Sequence, residues 1–252
     1  MRVVLLTLLS MLAFAANSLL CRLALKSQSI DPASFAAIRL ASGAAMLVLV
    51  MRVRRVSPVA HGSWAAAFWL FAYAATFSLA YVRLPAGVGA LLLFGAVQAT
   101  MVGAGLWRGE RLSQRQWLGL VLAMGGLVAL LLPGLSAPPL GSAALMLAAG
   151  VGWGAYSLHG KKAINAGAAT AGNFVRAVPF AALLVAVCAT QWSVSMLGLA
   201  YALCSGAITS GLGYIVWYTV LPRLRSSSAA TVQLSVPLLA ALGGTLLLGE
   251  DW

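Results

Sequence analysis

The chain has 252 residues, of which 62% are hydrophobic and only 8% carry a charge. Because a soluble domain has about 25% charged residues, this composition excludes an ordinary soluble protein. The formal net charge of +12 does not indicate nucleic-acid binding, since the basic residues are scattered between apolar runs. Together with a mean hydropathy of +0.97, the composition predicts a protein whose surroundings are the lipid bilayer.

The apolar residues fall into nine runs of roughly twenty residues, the length that crosses the hydrocarbon core as a helix. A backbone in lipid must satisfy its own hydrogen bonds, and these runs lack the alternation of barrel strands. The predicted fold class is therefore an all-α polytopic membrane protein. The first run follows Arg2 but is too long for a signal peptide, so it counts as a span. The predicted spans cover residues 3–21, 34–51, 64–82, 86–107, 116–132, 141–159, 171–190, 196–221 and 228–248.

The basic residues between the spans indicate the orientation of the chain. Eleven of the sixteen Lys and Arg residues fall in connections on one side, and three fall on the other. The remaining two, Arg39 and Arg176, lie inside spans. Because cytoplasmic connections are enriched in Lys and Arg, this bias predicts a cytoplasmic N-terminus.

Short sequence phrases recur about half a chain apart, which indicates a duplication. A Gly-Glu pair closes a hydrophobic run twice, a Leu-Pro pair precedes two spans, and a Ser occupies the same place in two others. These matches have offsets of 140, 137 and 139 residues and join Gly109-Glu110 with Gly249-Glu250, Leu84-Pro85 with Leu221-Pro222, and Ser18 with Ser157. For the first pair, Glu110 is expected to cap the fifth span or to pair with a nearby Arg.

The duplication divides the chain into two copies, residues 1–138 and 139–252. Each complete copy has five spans. Because five is an odd number, the second copy should begin on the opposite side of the membrane, which gives two inverted-topology repeats (5+5). The second copy stops after its fourth span. We therefore expect the complete architecture to contain a tenth helix that is absent from these 252 residues.

With the Leu-Pro turn and the Gly-Glu pair repeated in the same order of spans, the chain resembles EamA-type members of the drug/metabolite transporter superfamily. The resemblance implies a multi-pass carrier of the bacterial inner membrane, with the YddG-type aromatic amino-acid exporters as neighbours. It also implies a central cavity surrounded by spans 1–4 and 6–9. Two inverted copies could open such a cavity alternately to each side of the membrane.

Aromatic side chains share helix faces in four spans and are candidates to stack on a planar or cationic substrate. Interfacial belts and ordinary packing are the alternative explanation. The candidates are Phe14 beside Asn17 in span 1, Phe77 and Tyr81 in span 3, Trp153 and Tyr156 in span 6, and Tyr214, Trp217 and Tyr218 in span 8.

Polar side chains inside the spans form a second set of candidates for binding a substrate. Arg39 and Arg176 could bind a carboxylate, or their side chains could extend to the membrane interface. The amides could contact substrate or hydrogen-bond between helices. They are Asn17, Gln98, Asn173 and Gln233, of which Asn17 and Gln98 are the predicted substrate contacts.

The four acidic residues all lie outside the span cores, whereas coupled carriers often use buried carboxylates. His159, near the cytoplasmic end of span 6, is the one candidate for proton handling, with a helix-end histidine as the alternative. Facilitated diffusion down a gradient, or weak coupling through another route, is therefore favoured, and the energy coupling is left open.

The motifs of hydrolases, metalloproteases and phosphate-binding loops are missing, and three scattered cysteines do not form a zinc pattern. No enzyme activity, cofactor or metal site is predicted. The predicted function is a secondary transporter that exports small metabolites, most of all aromatic or other amphipathic amino acids, by alternating access. An efflux carrier for toxic organic compounds and a non-transporting scaffold subunit are the alternatives, and a homodimer is left open.

Overall fold

The computed structural model describes residues 2–57, 60–131, 138–161, 163–188 and 192–250. Within these ranges the chain is helical and contains no strand, which confirms the predicted all-α class. The helices are α1 (Arg2–Lys26), α2 (Pro32–Val53), α3 (Trp64–Tyr81), α4 (Ala86–Trp107), α5 (Gln114–Leu131), α6 (Leu140–Gly160), α7 (Ala166–Val187), α8 (Met196–Cys204), α9 (Gly213–Val220), α10 (Ser226–Gln233) and α11 (Ser235–Leu248).

Two of the predicted spans are built from consecutive helical segments. A π-helix (Ser205–Leu212) joins α8 to α9, and a 3₁₀ turn (Leu221–Arg223) ends that span. The next span consists of α10 and α11, which meet at Leu234.

Seven helical stretches of the described residues are long and apolar enough to cross a membrane. They are α1 to α4, α7, the span from α8 to the 3₁₀ turn, and the span formed by α10 and α11. The two other predicted spans correspond to α5 and α6. Glycine, serine, aromatic and histidine residues lower the apolar character of α6, which is packed between α3 and α4. Nine membrane spans therefore remain a prediction.

Local side-chain hydrogen bonds begin several of the helices. The Asp31 carboxylate accepts from the backbone N–H of Ser34 at 2.8 Å, and Pro32 occupies the first helical turn, where a missing N–H costs nothing. Ser63, Asn165 and Ser195 cap α3, α7 and α8 in the same way. The caps fix where each helix leaves its loop, and hence which side chains reach the centre of the bundle.

The loops collect at two ends of the bundle. At the Arg22 end (residues 27–31, 82–85, 192–195 and 249–250), the Asp31 N–H donates to the Ser193 carbonyl at 2.8 Å. At the Lys161 end (residues 54–57, 60–63, 108–113, 161, 163–165 and 221–225), Arg176 donates to the His61 carbonyl at 2.7 Å. Successive connections thus alternate between the two ends, as the predicted order of spans requires.

The two Gly-Glu pairs each contact the other half of the chain. Glu250 pairs with Arg22 (Oε1 to Nε, 2.6 Å) and accepts from the N–H of Ala86 at 2.7 Å, at the start of α4. Glu110 lies 4.0 Å from the Lys161 ammonium. It also accepts, at 3.3 and 3.4 Å, from the N–H groups of Ser226 and Ser227 at the start of α10. The partners of Glu110 are therefore Lys161 and α10, and the expected partners, α5 or a nearby Arg, were wrong.

Candidate functional site

The Arg39 side chain lies in the centre of the bundle, about 10 Å along α2 from its first residue, and is only 1% exposed. Its Nε donates to the Ser210 hydroxyl at 2.9 Å. Its Nη2 donates to the hydroxyls of Tyr73 at 2.9 Å and Tyr214 at 2.8 Å. The guanidinium carbon also lies 4.9 Å from the centre of the Tyr73 ring and 5.1 Å from that of Phe77. The side chain is held inside the bundle by hydroxyls and ring faces, and it does not extend to the interface.

One nitrogen of this guanidinium, Nη1, is buried and has no hydrogen-bond partner among the described residues. The two ion pairs of the described chain lie at the bundle ends, so neither neutralises Arg39. A buried cation is costly to keep unless it is paired, and a carboxylate is the ligand that a guanidinium binds best. The centre therefore offers a positive site for an anionic group.

Asn17 of α1 completes a polar ring with Arg39. Its Nδ2 donates to the Tyr73 hydroxyl at 3.3 Å, and its Oδ1 accepts from the Ser205 hydroxyl at 2.7 Å. The Ser210 hydroxyl lies 3.5 Å from the same Oδ1 and accepts from Arg39 on its other side. Two hydroxyls, those of Tyr73 and Ser210, thus each connect the guanidinium to the amide.

Aromatic rings fill the space around this polar ring. The Phe14 ring lies 5.2 Å from Trp153, 5.9 Å from Tyr214 and 5.7 Å from Trp217, measured between ring centres. Trp153 lies 4.6 Å from Tyr214. The open central cavity expected from the sequence is replaced in this conformation by packed rings. Edge-to-face contacts at these distances are stabilising, so a substrate would have to separate the rings to enter.

The aromatic cluster extends toward the Lys161 end, where several buried polar atoms have no partner among the described residues. The Trp153 Nε1–H donates to the Gln233 side-chain oxygen at 2.8 Å. In contrast, the hydroxyls of Tyr156 and Tyr218 and the Trp217 Nε1 make no hydrogen bond. Buried polar groups are normally paired, so these three are candidates for contacts made in another conformation or with a ligand.

The structure brings most of the predicted site residues together. Those that share the central cluster are Asn17, Arg39, Phe77, Trp153, Tyr156, Tyr214, Trp217 and Tyr218. Tyr81 touches Phe77, with ring centres 4.7 Å apart, but its hydroxyl donates to the Ala86 carbonyl near the Arg22 end. Gln98 is buried in α4, and its side-chain oxygen has no partner among the described residues. Whether any of these residues binds substrate stays a prediction.

Arg176 and His159 lie toward the Lys161 end. Arg176 donates to the carbonyls of His61 and Gly172, at 2.7 and 3.0 Å. His159 is exposed, and its Nδ1 lies 2.8 Å from the Ala155 carbonyl. A cleft of about 420 Å³ at this end is lined by both histidines and by Asn173. The cleft lies among the loops that the charge bias assigns to the cytoplasm.

Glu110 is the acidic group at this end whose ionisation is clearly shifted. Burial raises the pKa of its carboxyl, but the Ser226 hydroxyl, the N–H groups of Ser226 and Ser227 and the Lys161 ammonium outweigh burial and lower it. The pKa of Glu110 therefore lies below its ordinary value, and the group is anionic at neutral pH. In the described residues, no three His, Cys, Asp or Glu side chains group together as metal ligands would.

Sequence reasoning missed four central residues: Tyr73, Ser205, Thr209 and Ser210. Tyr73 could have been found, since it lies four residues before Phe77 and eight before Tyr81 on the same helical face. The three hydroxyl residues carried a weaker signal, a polar group inside an apolar span. Their convergence on Asn17 depends on the π-helix, which the sequence pattern does not reveal.

Membrane-length helices packed around a buried polar centre are the arrangement of a multi-pass membrane carrier. A family model described as the EamA-like transporter family matches residues 1–132 and 140–251. The chain therefore belongs to the EamA-like transporter family, within the drug/metabolite transporter superfamily, as the repeated motifs predicted.

Several relatives resemble the chain in sequence. An uncharacterized protein of Pseudomonas aeruginosa is 59% identical over 250 residues, covering 99% of this chain and 87% of the relative. The threonine/homoserine exporter RhtA of Escherichia coli strain K12 is 35% identical over 182 residues, covering 69% of this chain and 58% of the exporter. The uncharacterized transporter YwfM of Bacillus subtilis is 27% identical, covering 90% of this chain and 80% of the relative.

One solved crystal structure has the same fold. It aligns over 96% of this chain and 88% of its own, with a TM-score of 0.68 and 20% sequence identity. At this identity the likeness concerns the arrangement of the helices alone.

Proposed function

We propose that the protein exports a small amphipathic amino acid across the bacterial inner membrane, with Arg39 binding the substrate carboxylate. The observation that carries the proposal is the buried Arg39 guanidinium. Among the described residues it has hydroxyl partners but no carboxylate partner, and one of its nitrogens is unpaired. A cation in this setting gains more from an incoming carboxylate than it would at a wet surface, because the local dielectric is low. The aromatic faces around it suit the apolar part of such a substrate.

The relatives support an amino acid as the cargo. RhtA is named as an exporter of threonine and homoserine, both of which carry a carboxylate, an ammonium and a short hydroxylated side chain. Because the rings of Phe14, Trp153 and Tyr214 can contact an apolar side chain, the proposed substrates also include aromatic or other amphipathic amino acids.

Alternating access between two inverted repeats is the proposed mechanism, with the N-terminus in the cytoplasm. Its support is the reciprocal contact of the two halves, in which Glu250 caps α4 at one end and Glu110 caps α10 at the other. Because the two ends use equivalent parts of the two halves, one end can separate while the other stays closed. Movement down a gradient accounts for transport without a carboxylate among the described central residues.

Flux into proteoliposomes tests the proposal. Radiolabelled threonine, homoserine and phenylalanine are offered to the native protein and to Arg39→Lys and Arg39→Gln. We expect amino-acid flux in the native protein, a partial loss in Arg39→Lys and a loss of about tenfold or more in Arg39→Gln, since a charge-assisted pair is removed. Arg83→Gln, at an exposed loop, is the matched control.

Two other outcomes would contradict the proposal. Flux of lipophilic cations without flux of amino acids would favour an efflux carrier for toxic organic compounds. Absence of flux for every compound, in protein that remains monodisperse, would favour a scaffold subunit.

A further inference from the structure

An amino acid brings an ammonium group as well as a carboxylate, and the described core offers that ammonium no carboxylate. The acidic residues of the described chain lie at the ends: Asp31 caps α2, Glu250 caps α4 and Glu110 caps α10. An ammonium bound beside Arg39 must therefore be met by neutral acceptors, and it must be kept apart from the guanidinium.

Asn17 supplies the best-placed neutral acceptor. Its Oδ1 faces three hydroxyls, at 2.7 Å from Ser205, 3.3 Å from Thr209 and 3.5 Å from Ser210. Thr209 also donates to the Ser205 carbonyl at 2.9 Å, so its proton has another partner. Hydroxyl groups accept as well as donate, and they can turn their oxygen atoms toward a cation when one is present.

The π-helix is the reason that Ser210 faces the same partner as Ser205. In an α-helix each residue turns by about 100°, so Ser210 would point roughly 140° away from Ser205. A helix with i→i+5 hydrogen bonds has more residues in each turn, so residues five apart come much closer to the same face. The segment Ser205–Leu212 has this geometry, which turns Ser205 and Ser210 toward the same partner, Asn17.

Asn17 and Arg39 lie close enough together for the two charged groups of one α-amino acid to contact both. A single hydroxyl oxygen separates the amide from the guanidinium at two places, Tyr73 and Ser210. The carboxylate and ammonium of an α-amino acid are likewise held close together, because both are attached to the same carbon atom. A zwitterion can therefore take the place of these hydroxyl bridges and leave each charge on its own partner.

From this arrangement we propose that Asn17, with the π-helix hydroxyls of Ser205 and Thr209, is the ammonium subsite of the transport site. The inference rests on the proposed function and narrows its substrate class to α-amino acids. Acids without the ammonium and amines without the carboxylate are bound more weakly, because each leaves half of the site unused.

Competition against amino-acid flux in proteoliposomes tests the subsite. The probes are threonine, its deaminated acid and its decarboxylated amine, each measured as the concentration that halves flux. In the native protein we expect threonine to compete about tenfold better than either analogue, since each lacks one charge-assisted contact. In Asn17→Leu, the half-inhibition concentration of threonine should rise to that of the deaminated acid. The half-inhibition concentration of the deaminated acid should stay the same as in the native protein.

Asn17→Asp covers the case in which Asn17→Leu does not fold. An added carboxylate strengthens binding of the decarboxylated amine, and this gain appears as a lower half-inhibition concentration for that probe. Ser205→Ala is expected to lower the preference for threonine over its deaminated acid. Ser78→Ala is the control, since this buried hydroxyl donates to the Ala74 carbonyl of its own helix, at 2.8 Å.

The results separate two kinds of failure. If the native protein moves no amino acid, the proposed function is wrong and the subsite falls with it. If amino acids are moved but the Asn17 variants weaken threonine and its deaminated acid equally, only the ammonium subsite is overturned.

Discussion

Four buried tyrosines near the centre differ in what their hydroxyl groups contact. The Tyr73 hydroxyl accepts from Arg39 and Asn17, and the Tyr214 hydroxyl accepts from Arg39. The hydroxyls of Tyr156 and Tyr218 have no partner among the described residues. The hydroxyls of Tyr73 and Tyr214 therefore stabilise this conformation. Those of Tyr156 and Tyr218 are available for hydrogen bonds in another conformation.

Phenylalanine substitutions separate these two roles. Tyr73→Phe keeps the ring under Arg39 but leaves buried donors unpaired, so we expect a loss of about 1–3 kcal/mol in stability. Tyr218→Phe removes a buried hydroxyl that has no partner among the described residues, so its melting temperature should equal or exceed that of the native protein while its flux falls. Thermal unfolding in detergent and flux in proteoliposomes measure the two effects. Equal melting temperatures for both variants would contradict this assignment.

The sequence predicted which residue types occupy the centre better than it predicted their partners. Arg39 and Arg176 looked equivalent, because both lie inside spans at similar places in the two halves. Arg39 is buried by hydroxyls from α3, α9 and the π-helix, whereas Arg176 donates to the His61 carbonyl at one end. Sequence position gives depth along a helix, but the neighbours are set by tertiary packing.

At the scale of elements, the π-helix and α2 approach each other through glycine. A Cβ on Gly206 would collide with the Ser42 hydroxyl and the Arg39 carbonyl. The close approach holds the backbone of α2 against the segment that carries Ser205 and Ser210. The i→i+5 geometry was not predicted from the sequence, since the apolar pattern of this span does not distinguish a π-helix from an α-helix.

Alanine substitution at this glycine should disturb the site. Gly206→Ala must displace backbone atoms of α2, so we expect lower flux and a loss of about 1–3 kcal/mol in stability. Gly103→Ala in α4 is the matched control, because a Cβ there meets nothing within 4 Å. In an open helical position alanine is favoured, so this control should melt at the same temperature or higher. Similar behaviour of the two variants would show that the close approach is unimportant.

The cap of α10 by Glu110 should depend on pH. Because the folded pKa of this carboxyl lies below its ordinary value, its stabilising contribution is present above the unfolded pKa and is lost as pH falls through the folded pKa. We expect Glu110→Gln to be less stable than the native protein at pH 7. The difference should shrink as the pH is lowered below about 4.3, the ordinary value for a glutamate. Thermal unfolding across a pH series measures it, and a difference that grows on acidification would contradict the cap.

At the scale of the whole molecule, the ion pairs at the two ends of the bundle differ in length and in burial. The Glu250–Arg22 pair is 2.6 Å long, with side chains 8% and 12% exposed. The Glu110–Lys161 pair is 4.0 Å long, with side chains 21% and 23% exposed, and it lies at the same end as the cleft lined by His61 and His159. The ion pair at the Arg22 end is therefore shorter and more buried than the pair at the Lys161 end.

Cys21 provides a native reporter for opening of the Arg22 end, since its side chain is fully buried next to Arg22 in the sequence. In protein whose Cys188 and Cys204 are replaced by Ser, Glu250→Ala should raise the rate of maleimide labelling at Cys21. Removing the carboxylate leaves Arg22 and the Ala86 N–H without their partner, which favours opening of this end. Glu110→Ala acts at the opposite end and should leave the labelling rate unchanged. Equal labelling of both variants would show that Glu250 does not control access.

The crossed contacts of the two Gly-Glu pairs also constrain how the two halves of this chain can change in evolution. Glu250 contacts Arg22 and Ala86, and Glu110 contacts Lys161 and Ser226, so each of these contacts joins one half of the chain to the other. A substitution at position 250 would have to be matched by a compensating change at position 22, in the other half of the chain. Substitutions at these contacts should therefore be coupled between the two halves. Neither half should fold when it is expressed without the other.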